Sequence, residues 1–332
     1  MRCAVVGAGA WGTALADLLA DNGHEVVIWA FEPDVAASIN ETHENRRFLA
    51  GFPLHPSLRA TTQYDEALGG AELVTYATPS HLLRSILRAG AAGVDEGAIL
   101  TVASKGIERS TSALMTTVVD EETRGEHPVV ALSGPSFAAE VVAGQPTAIV
   151  AGSTNADAAR RAQSAFSNST FRVYTSDDVV GVELAGALKN VMAVATGMVE
   201  GVGLGFNSRA GLITRGLHEM TRLGVSLGAQ PATFAGLAGV GDLVLTCTGA
   251  LSRNRALGVE IGHGATLDAA LKGKETVAEG VTTAASALVL AEQQGVDMPI
   301  VQMVNRILFE GHAARSAVPE LMARELRSEQ DL

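Results

Sequence analysis

The sequence is poor in cysteine, in positive charge and in long apolar runs, and each shortage excludes a class of function. Two cysteines occur in 332 residues, Cys3 and Cys247, both among apolar neighbours and far apart in the chain. That suits buried thiols better than a disulfide framework or a metal site. The eight histidines show no metal-ligand spacing, and HExxH and CxxC are both missing, so no metal is expected. His43, His81 and His218 read as structural or surface residues. Lys and Arg total 24 against 36 Asp and Glu, a formal net charge of -12, which argues against nucleic acid or an anionic membrane surface as partner. The most apolar tracts, such as 99–103 and 243–245, are far shorter than the ~18 residues of a membrane span. Met1 leads straight into Arg2-Cys3-Ala4-Val5-Val6, without a basic region, apolar stretch and cleavage site. A cytoplasmic protein without membrane insertion is expected.

What remains is an ordinary globular composition, 47% hydrophobic and 18% charged. The length exceeds the ~250 to 300 residues at which a single core stops growing, so two domains are expected. Short β-branched runs at 2–6, 25–29, 73–77, 98–103, 129–132, 147–151 and 171–174 read as strands. Helical stretches lie between them, at 13–22, 81–89, 112–121 and 157–166. Such alternation predicts an α/β fold with a mostly parallel, doubly wound sheet. After about Asp177 the texture turns to Ala, Gly and Leu at helical spacing, with helices expected at 178–199, 282–294 and 299–309. Small residues in the first of these, Gly181, Ala185, Gly186, Ala193 and Gly197, would let other helices approach closely. The expected domains are 1–177, dinucleotide-binding, and 178–332, all-helical, with Asp178 as a candidate helix cap.

Gly7-Ala8-Gly9-Ala10-Trp11-Gly12 is a GxGxxG run directly after the first strand and at the opening of a helix. In that context it reads as a dinucleotide fingerprint: Gly7 for the tight turn, Gly9 for close approach to a pyrophosphate, Gly12 for helix-on-strand packing. Ala30-Phe31-Glu32 ends the second strand, and Glu32 lies about 20 residues beyond the motif, where an acid accepts a ribose 2'-hydroxyl and repels a 2'-phosphate. NAD preference follows. Two alternatives stay open: Glu32 as a cap of a helix with Pro33 at its first position, and Arg46 and Arg47 folding back toward the 2'-phosphate of NADP.

Joined to the blocks downstream, the sequence resembles the NAD(P)-dependent glycerol-3-phosphate dehydrogenases along essentially its full length. The resemblance rests on Ala103-Ser104-Lys105-Gly106, Ser133-Gly134-Pro135-Ser136-Phe137-Ala138-Ala139-Glu140, Gly186-Ala187-Leu188-Lys189-Asn190-Val191, Gly239-Val240-Gly241-Asp242-Leu243, Ser252-Arg253-Asn254-Arg255 and Glu279-Gly280. It implies an N-terminal Rossmann domain, a C-terminal helical domain, and interconversion of sn-glycerol 3-phosphate and dihydroxyacetone phosphate. It implies further that Lys189 is the general acid/base, with Lys105 touching both ligands. Gly134, Ser136, Asn190, Asp242, Thr246, Ser252, Arg253 and Asn254 would contact the phosphorylated substrate. Gly7, Gly9, Ala10, Trp11, Gly12, Phe31, Glu32, Lys105, Ala138, Arg253, Val277 and Glu279 would serve the cofactor. A homodimer and a product used in phospholipid synthesis follow from the same resemblance. Many bacterial members carry His or Arg where this chain has Phe31; Trp29-Ala30-Phe31-Glu32 and Thr42-His43-Glu44-Asn45 are closer to the NAD-dependent cytosolic enzymes of eukaryotes.

The residues suit that chemistry. Reducing a ketone by hydride leaves negative charge on oxygen, which an ammonium can stabilise and protonate. Lys189 is the only charged residue between Leu184 and Val194. Desolvation there would lower its pKa toward neutrality, unless the stem merely lies on apolar surface with its head in water. Asp242 follows Ala238-Gly239-Val240-Gly241 and either reaches Lys189 or a substrate hydroxyl, with Thr246 on the same face, or simply caps a helix. Ser252-Arg253-Asn254-Arg255 reads as a helix start with free N–H groups, where Arg253 takes the phosphate and Arg255 is a solvated surface charge. Ser136 either offers the substrate N–H groups from a strand-to-helix turn or is a plain N-cap. A hydroxyacid or sugar-acid dehydrogenase and a non-catalytic NAD-binding redox sensor are the competing readings.

Overall fold

The structure, a computed structural model, describes residues 1–90, 93–273, 278–326 and 328–329. It divides into two compact units, Met1–Lys105 with Ala113–Val182, and Gly106–Ser112 with Glu183–Leu332. The boundary expected from the sequence lies at 177/178.

The first unit is built on eight strands: β1 (Arg2–Val6), β2 (Glu25–Trp29), β3 (Arg59–Thr61), β4 (Leu73–Tyr76), β5 (Ile99–Val102), β6 (Val129–Ser133), β7 (Thr147–Gly152) and β8 (Phe171–Ser176). Their order in the sheet is β3-β2-β1-β4-β5-β6-β7-β8. All neighbours pair in parallel except β6 and β7. Strand side chains alternate between the two faces, and in β1 Cys3 and Val5 join one apolar cluster while Ala4 and Val6 join the other. Both faces are therefore covered, which explains an unbroken apolar run where a half-exposed strand would alternate. The strand order reverses between β1 and β4, and in such sheets ligands bind at the carboxyl ends beside the reversal.

Three local expectations shift. β3 was not anticipated, because Arg-Ala-Thr carries no apolar run; it is held by pairing to β2 from Val27↔Arg59 to Trp29↔Thr61. The first helix starts at Ala10, directly after the glycine turn, and not at residue 13. The helix expected at 112–121 spans Met115–Glu122, since Ser112 has φ 61° and cannot be helical.

The described residues of the second unit form helices and no strands, among them Val179–Gly201 from the end of the first unit, Phe206–Ser226, Asp242–Thr248, Arg253–Gly262, Glu279–Gln294 and Pro299–Phe309. Asp178 caps the first of these, its Oδ1 accepting from the N–H of Gly181 at 2.9 Å. A glycine seam fixes the packing of Val179–Gly201 on Arg253–Gly262. A Cβ on Gly197 or Gly201 would lie 2.1 Å or 2.3 Å from the carbonyls of Arg255 or Val259. In return, one on Gly258 or Gly262 would lie 2.1 Å or 2.4 Å from those of Val194 or Met198. The two backbones touch, so the start of Arg253–Gly262 is set rigidly against the helix that carries Lys189.

The expectation that no apolar stretch reaches membrane length needs correction. Val179–Gly201 and Pro231–Thr248 are both long and apolar enough by length and composition. In the first, 83% of its most apolar 18-residue window is buried inside the protein, as in a core helix, and the second is broken at Gly239, whose φ and ψ of -90° and -107° are not helical. Cys3 and Cys247 are buried free thiols, each pushed up to about 12 by burial.

Candidate active site

In the first unit, β1 ends at Gly7, whose φ of 113° and approach to the β4 end admit only glycine: a Cβ there would lie 2.8 Å from the Ala77 carbonyl. Gly12 is equally constrained, since its Cβ would lie 1.9 Å from the carbonyl of Gly7. Gly9 differs, having nothing within 4 Å of a built Cβ. It faces open space at the N-terminus of the helix Ala10–Asp21, as N-cap with no side-chain cap and no acid in the first turn. The first-turn amides of Ala10, Trp11 and Gly12 are thus left to an outside acceptor, and the cradle fits a pyrophosphate.

Glu32 does sit at the N-cap of the helix Pro33–Thr42, with Pro in the first turn, but its side chain makes no capping bond. The capping alternative fails on that point, and the carboxylate has no partner among the described residues. Phe31 beside it is 77% exposed. Arg46 pairs with Glu44 at 3.3 Å and Arg47 with Asp34 at 3.5 Å. Further along, Lys105 Nζ donates to the Gly134 carbonyl at 3.5 Å, and Ser136 Oγ donates to the same oxygen at 2.9 Å. Gly134 has φ 147°, and a Cβ on it would lie 2.8 Å from Ile149 Cα. Lys105, Gly134 and Ser136 are thereby brought together. Ser136 is not an N-cap; Phe137 holds that position for Ala138–Val142, whose first residue is Ala138.

In the second unit, Lys189 and Asn190 lie in the middle of Val179–Gly201, 8% and 4% exposed. Of the alternatives for Asp242, the one in which it reaches Lys189 is what the structure shows: Nζ donates to Asp242 Oδ1 at 2.5 Å and to Thr246 Oγ1 at 2.9 Å. Asp242, 1% exposed, opens the helix Asp242–Thr248 immediately after the break at Gly239, where a Cβ would fall 2.0 Å from the Phe234 carbonyl. Thr246 Oγ1 donates to the Asp242 carbonyl at 2.7 Å, which turns a lone pair toward Lys189. A charged amine is costly to bury, and the carboxylate offsets that cost while fixing where Nζ sits. The capping reading of Asp242 does not describe it, because its side chain is spent on Lys189.

Ser252 is the N-cap of Arg253–Gly262, its Oγ accepting from the N–H of Arg255 at 3.2 Å. Arg253 is exposed and has no ionic partner among the described residues. Arg255 is not the surface charge expected. Its Nε and Nη2 grip Glu200 at 3.0 Å and 2.7 Å, and Glu200 also takes Arg209 at 3.1 Å. Nothing local in the sequence signals that clamp. The Gly280 N–H donates to Asn254 Oδ1 at 2.9 Å, and Asn254 Nδ2 donates to Asn190 Oδ1 at 3.0 Å. Because a backbone N–H must face an oxygen, both amides are oriented, and Asn190 keeps its Nδ2 as a donor. Glu279 is the first residue of Glu279–Gln294. Val277 lies outside the described residues, and among those described no group of three His, Cys, Asp or Glu could hold a metal.

Comparison with known proteins decides the family. The model of the NAD-dependent glycerol-3-phosphate dehydrogenase N-terminus matches residues 2–159, and that of its C-terminus residues 178–319. This chain belongs to that family. It is similar to the glycerol-3-phosphate dehydrogenase [NAD(P)+] of Trichlorobacter lovleyi, 53% identical over 99% of this chain and 100% of the relative. The protein of that name from Nitratidesulfovibrio vulgaris is 50% identical over the same shares. The crystal structure of glycerol-3-phosphate dehydrogenase from Coxiella burnetii superposes with a TM-score of 0.93 at 37% identity, over 97% of this chain and 99% of that one. An N-terminal Rossmann sheet followed by a helical half is thus the fold of the family as well as of this chain.

Proposed function

We propose that the chain interconverts sn-glycerol 3-phosphate and dihydroxyacetone phosphate with NAD(P), and that Lys189 is the proton donor and acceptor. The observation that carries this reading is the buried Lys189–Asp242–Thr246 cluster, in a chain whose relatives bear that activity in their names. When bound, the nicotinamide supplies the hydride or takes it back. The chain's own residues do the rest. Lys189 presents an ammonium that steadies the charge growing on the substrate oxygen and delivers a proton to it. Asp242 and Thr246 hold Nζ in one place, so little reorganisation is needed at the moment of reaction. Arg253 and the first-turn amides behind Ser252 take the phosphate, and Asn190 Nδ2 offers the substrate a neutral donor.

Gly7, Gly9, Ala10, Trp11 and Gly12 are assigned to the pyrophosphate and Glu32 to the adenosine ribose; Phe31, Lys105, Ala138, Val277 and Glu279 complete the cofactor side by family resemblance. With Glu32 unspent and both Arg46 and Arg47 ion-paired, NAD is the favoured coenzyme. The enzyme is assigned to the cytoplasm as a homodimer without membrane insertion or nucleic-acid partner, and its product to phospholipid synthesis.

The test follows NADH and NADPH absorbance with dihydroxyacetone phosphate. Turnover is expected with at least one coenzyme, faster with NADH, and Lys189→Ala is expected to lose it. Inactivity of the wild type with both coenzymes refutes the reaction, and normal turnover by Lys189→Ala refutes its role.

A further inference from the structure

Thr42-His43-Glu44-Asn45 has so far been given no task, although Asn45 is fully buried. Its Nδ2 donates to the Ala8 carbonyl at 2.8 Å and to Thr13 Oγ1 at 2.8 Å. Its Oδ1 accepts from the N–H of Phe48 at 3.0 Å, which fixes the amide's orientation, since a backbone donor must meet an oxygen. Thr13, also fully buried, donates its own hydroxyl to the Ala8 carbonyl at 3.3 Å. Two side chains, one from the loop after Pro33–Thr42 and one from the helix Ala10–Asp21, thus converge on a single carbonyl inside the GxGxxG turn.

That carbonyl belongs to the peptide joining Ala8 to Gly9. The described residues contain no cis peptide bonds, and in a planar trans peptide the C=O and N–H point in opposite directions. Holding the Ala8 oxygen toward Asn45 and Thr13 therefore turns the Gly9 N–H the opposite way, away from them, at a residue whose built Cβ would meet nothing within 4 Å. A glycine-rich turn left unbraced samples other peptide orientations readily, and a flip would aim an oxygen at an incoming anion. We propose that Asn45, with Thr13, is a positioning residue for the coenzyme: it locks the Ala8–Gly9 peptide so that a hydrogen-bond donor faces the pyrophosphate. The segment around it is suited to the task. His43 ends the preceding helix at φ 48°, its carbonyl takes the N–H of Leu54 at 2.8 Å, and Glu44 accepts from Gly51 N–H at 2.7 Å, so Asn45 is presented from a closed loop.

The inference rests on the nicotinamide-dependent reading, and the experiment separates the two. Direct titration of the wild type with NADH, followed by coenzyme fluorescence, tests that reading; absence of binding sinks it. Given binding, Asn45→Ala is expected to raise the NADH dissociation constant at least about tenfold, and Thr13→Val, which keeps the shape, several-fold. In both, KM for the phosphorylated substrate at saturating coenzyme stays within about twofold of wild type. Asn40→Ala is the control for a merely structural loss: Asn40 bonds the backbone of Ala60 through both of its amide atoms and does not touch the turn, so NADH binding stays unchanged. Should Asn45→Ala fail to fold, Thr13→Val carries the test. Unchanged NADH affinity in a folded variant, or equal weakening by Asn40→Ala, overturns the proposal.

Discussion

Glu219 gives the sharpest energetic forecast. It is 1% exposed in the helix Phe206–Ser226, and its two oxygens accept from the N–H groups of Ile300 at 2.8 Å and Val301 at 3.4 Å, at the start of Pro299–Phe309. Burial pushes its carboxyl from 4.5 up to about 7, against those two bonds and the Arg222 guanidinium, with Asp297 adding a small push in the same direction as burial. A folded pKa above the unfolded one means that the native state binds the proton more tightly. The associated stability is complete below pH 4.5 and is lost as pH rises through about 7. The interval corresponds to about 3 kcal/mol. Glu219→Gln keeps the shape and an acceptor for Ile300 but never ionises. Relative to wild type the variant should therefore gain about 3 kcal/mol between about pH 4.5 and about pH 8, read by urea unfolding at a series of pH values. A difference that stays flat across that range, or that turns against the variant as pH rises, would show that the capping bonds to the ionised form outweigh its burial.

Two further predictions bear on the reaction. Asp242→Asn removes the carboxylate that pairs with the buried Lys189 ammonium, a loss of about 3 to 5 kcal/mol if the charge is retained. Turnover should then fall on the order of 10² to 10⁴ while NADH affinity is unchanged, and near-normal turnover would detach Asp242 from catalysis. Arg253→Ala should raise KM for dihydroxyacetone phosphate about thirtyfold, from about 2 kcal/mol for a charge-assisted contact, with a smaller effect on kcat. An unaltered KM would place the phosphate elsewhere.

What the sequence made legible was local. The glycine turn could be read because each glycine answers a constraint within a few residues of itself or one strand away, and the β1 run because burial on both faces erases alternation. Lys189 was legible as an anomaly, one charge in an apolar helix, with Asp242 as one candidate partner, but choosing among the alternatives for Asp242 needed the fold. Asp242 stands 53 positions away, beyond any helical spacing rule. Arg255 failed for the same reason, since Glu200 lies 55 positions off on another helix. A signal did exist there: Gly197 and Gly201, and Gly258 and Gly262, repeat the same small-residue spacing on two helices, and that spacing lets backbones meet. Phe206–Ser226 is not legible as a helix in the sequence because Gly211, Gly216 and Gly224 interrupt its periodicity, although Gly224 packs so tightly that a Cβ would lie 2.2 Å from the Phe234 ring. Asn45 was visible only as part of a resemblance, and its hold on Ala8 spans 37 positions.

The acidity of the chain sharpens the question of how it captures a phosphate. A net charge of -12 repels an anion at long range, but salt screens that repulsion beyond about 10 Å, so the outcome is decided by the groups the anion finally touches. Several of the described arginines are already committed, among them Arg84 to Glu121 and Glu122, Arg88 to Glu122, Arg255 and Arg209 to Glu200, Arg306 to Glu320, and Arg324 to Asp297. Arg253 is not, and it stands on a helix start whose first-turn amides add to its charge. The clamp on Arg255, two positions away, and the glycine seam hold that start still, so the uncommitted guanidinium is presented from a rigid base. On the proposed assignment of the phosphate to Arg253, each arginine paired elsewhere is one fewer place for a phosphate to bind unproductively.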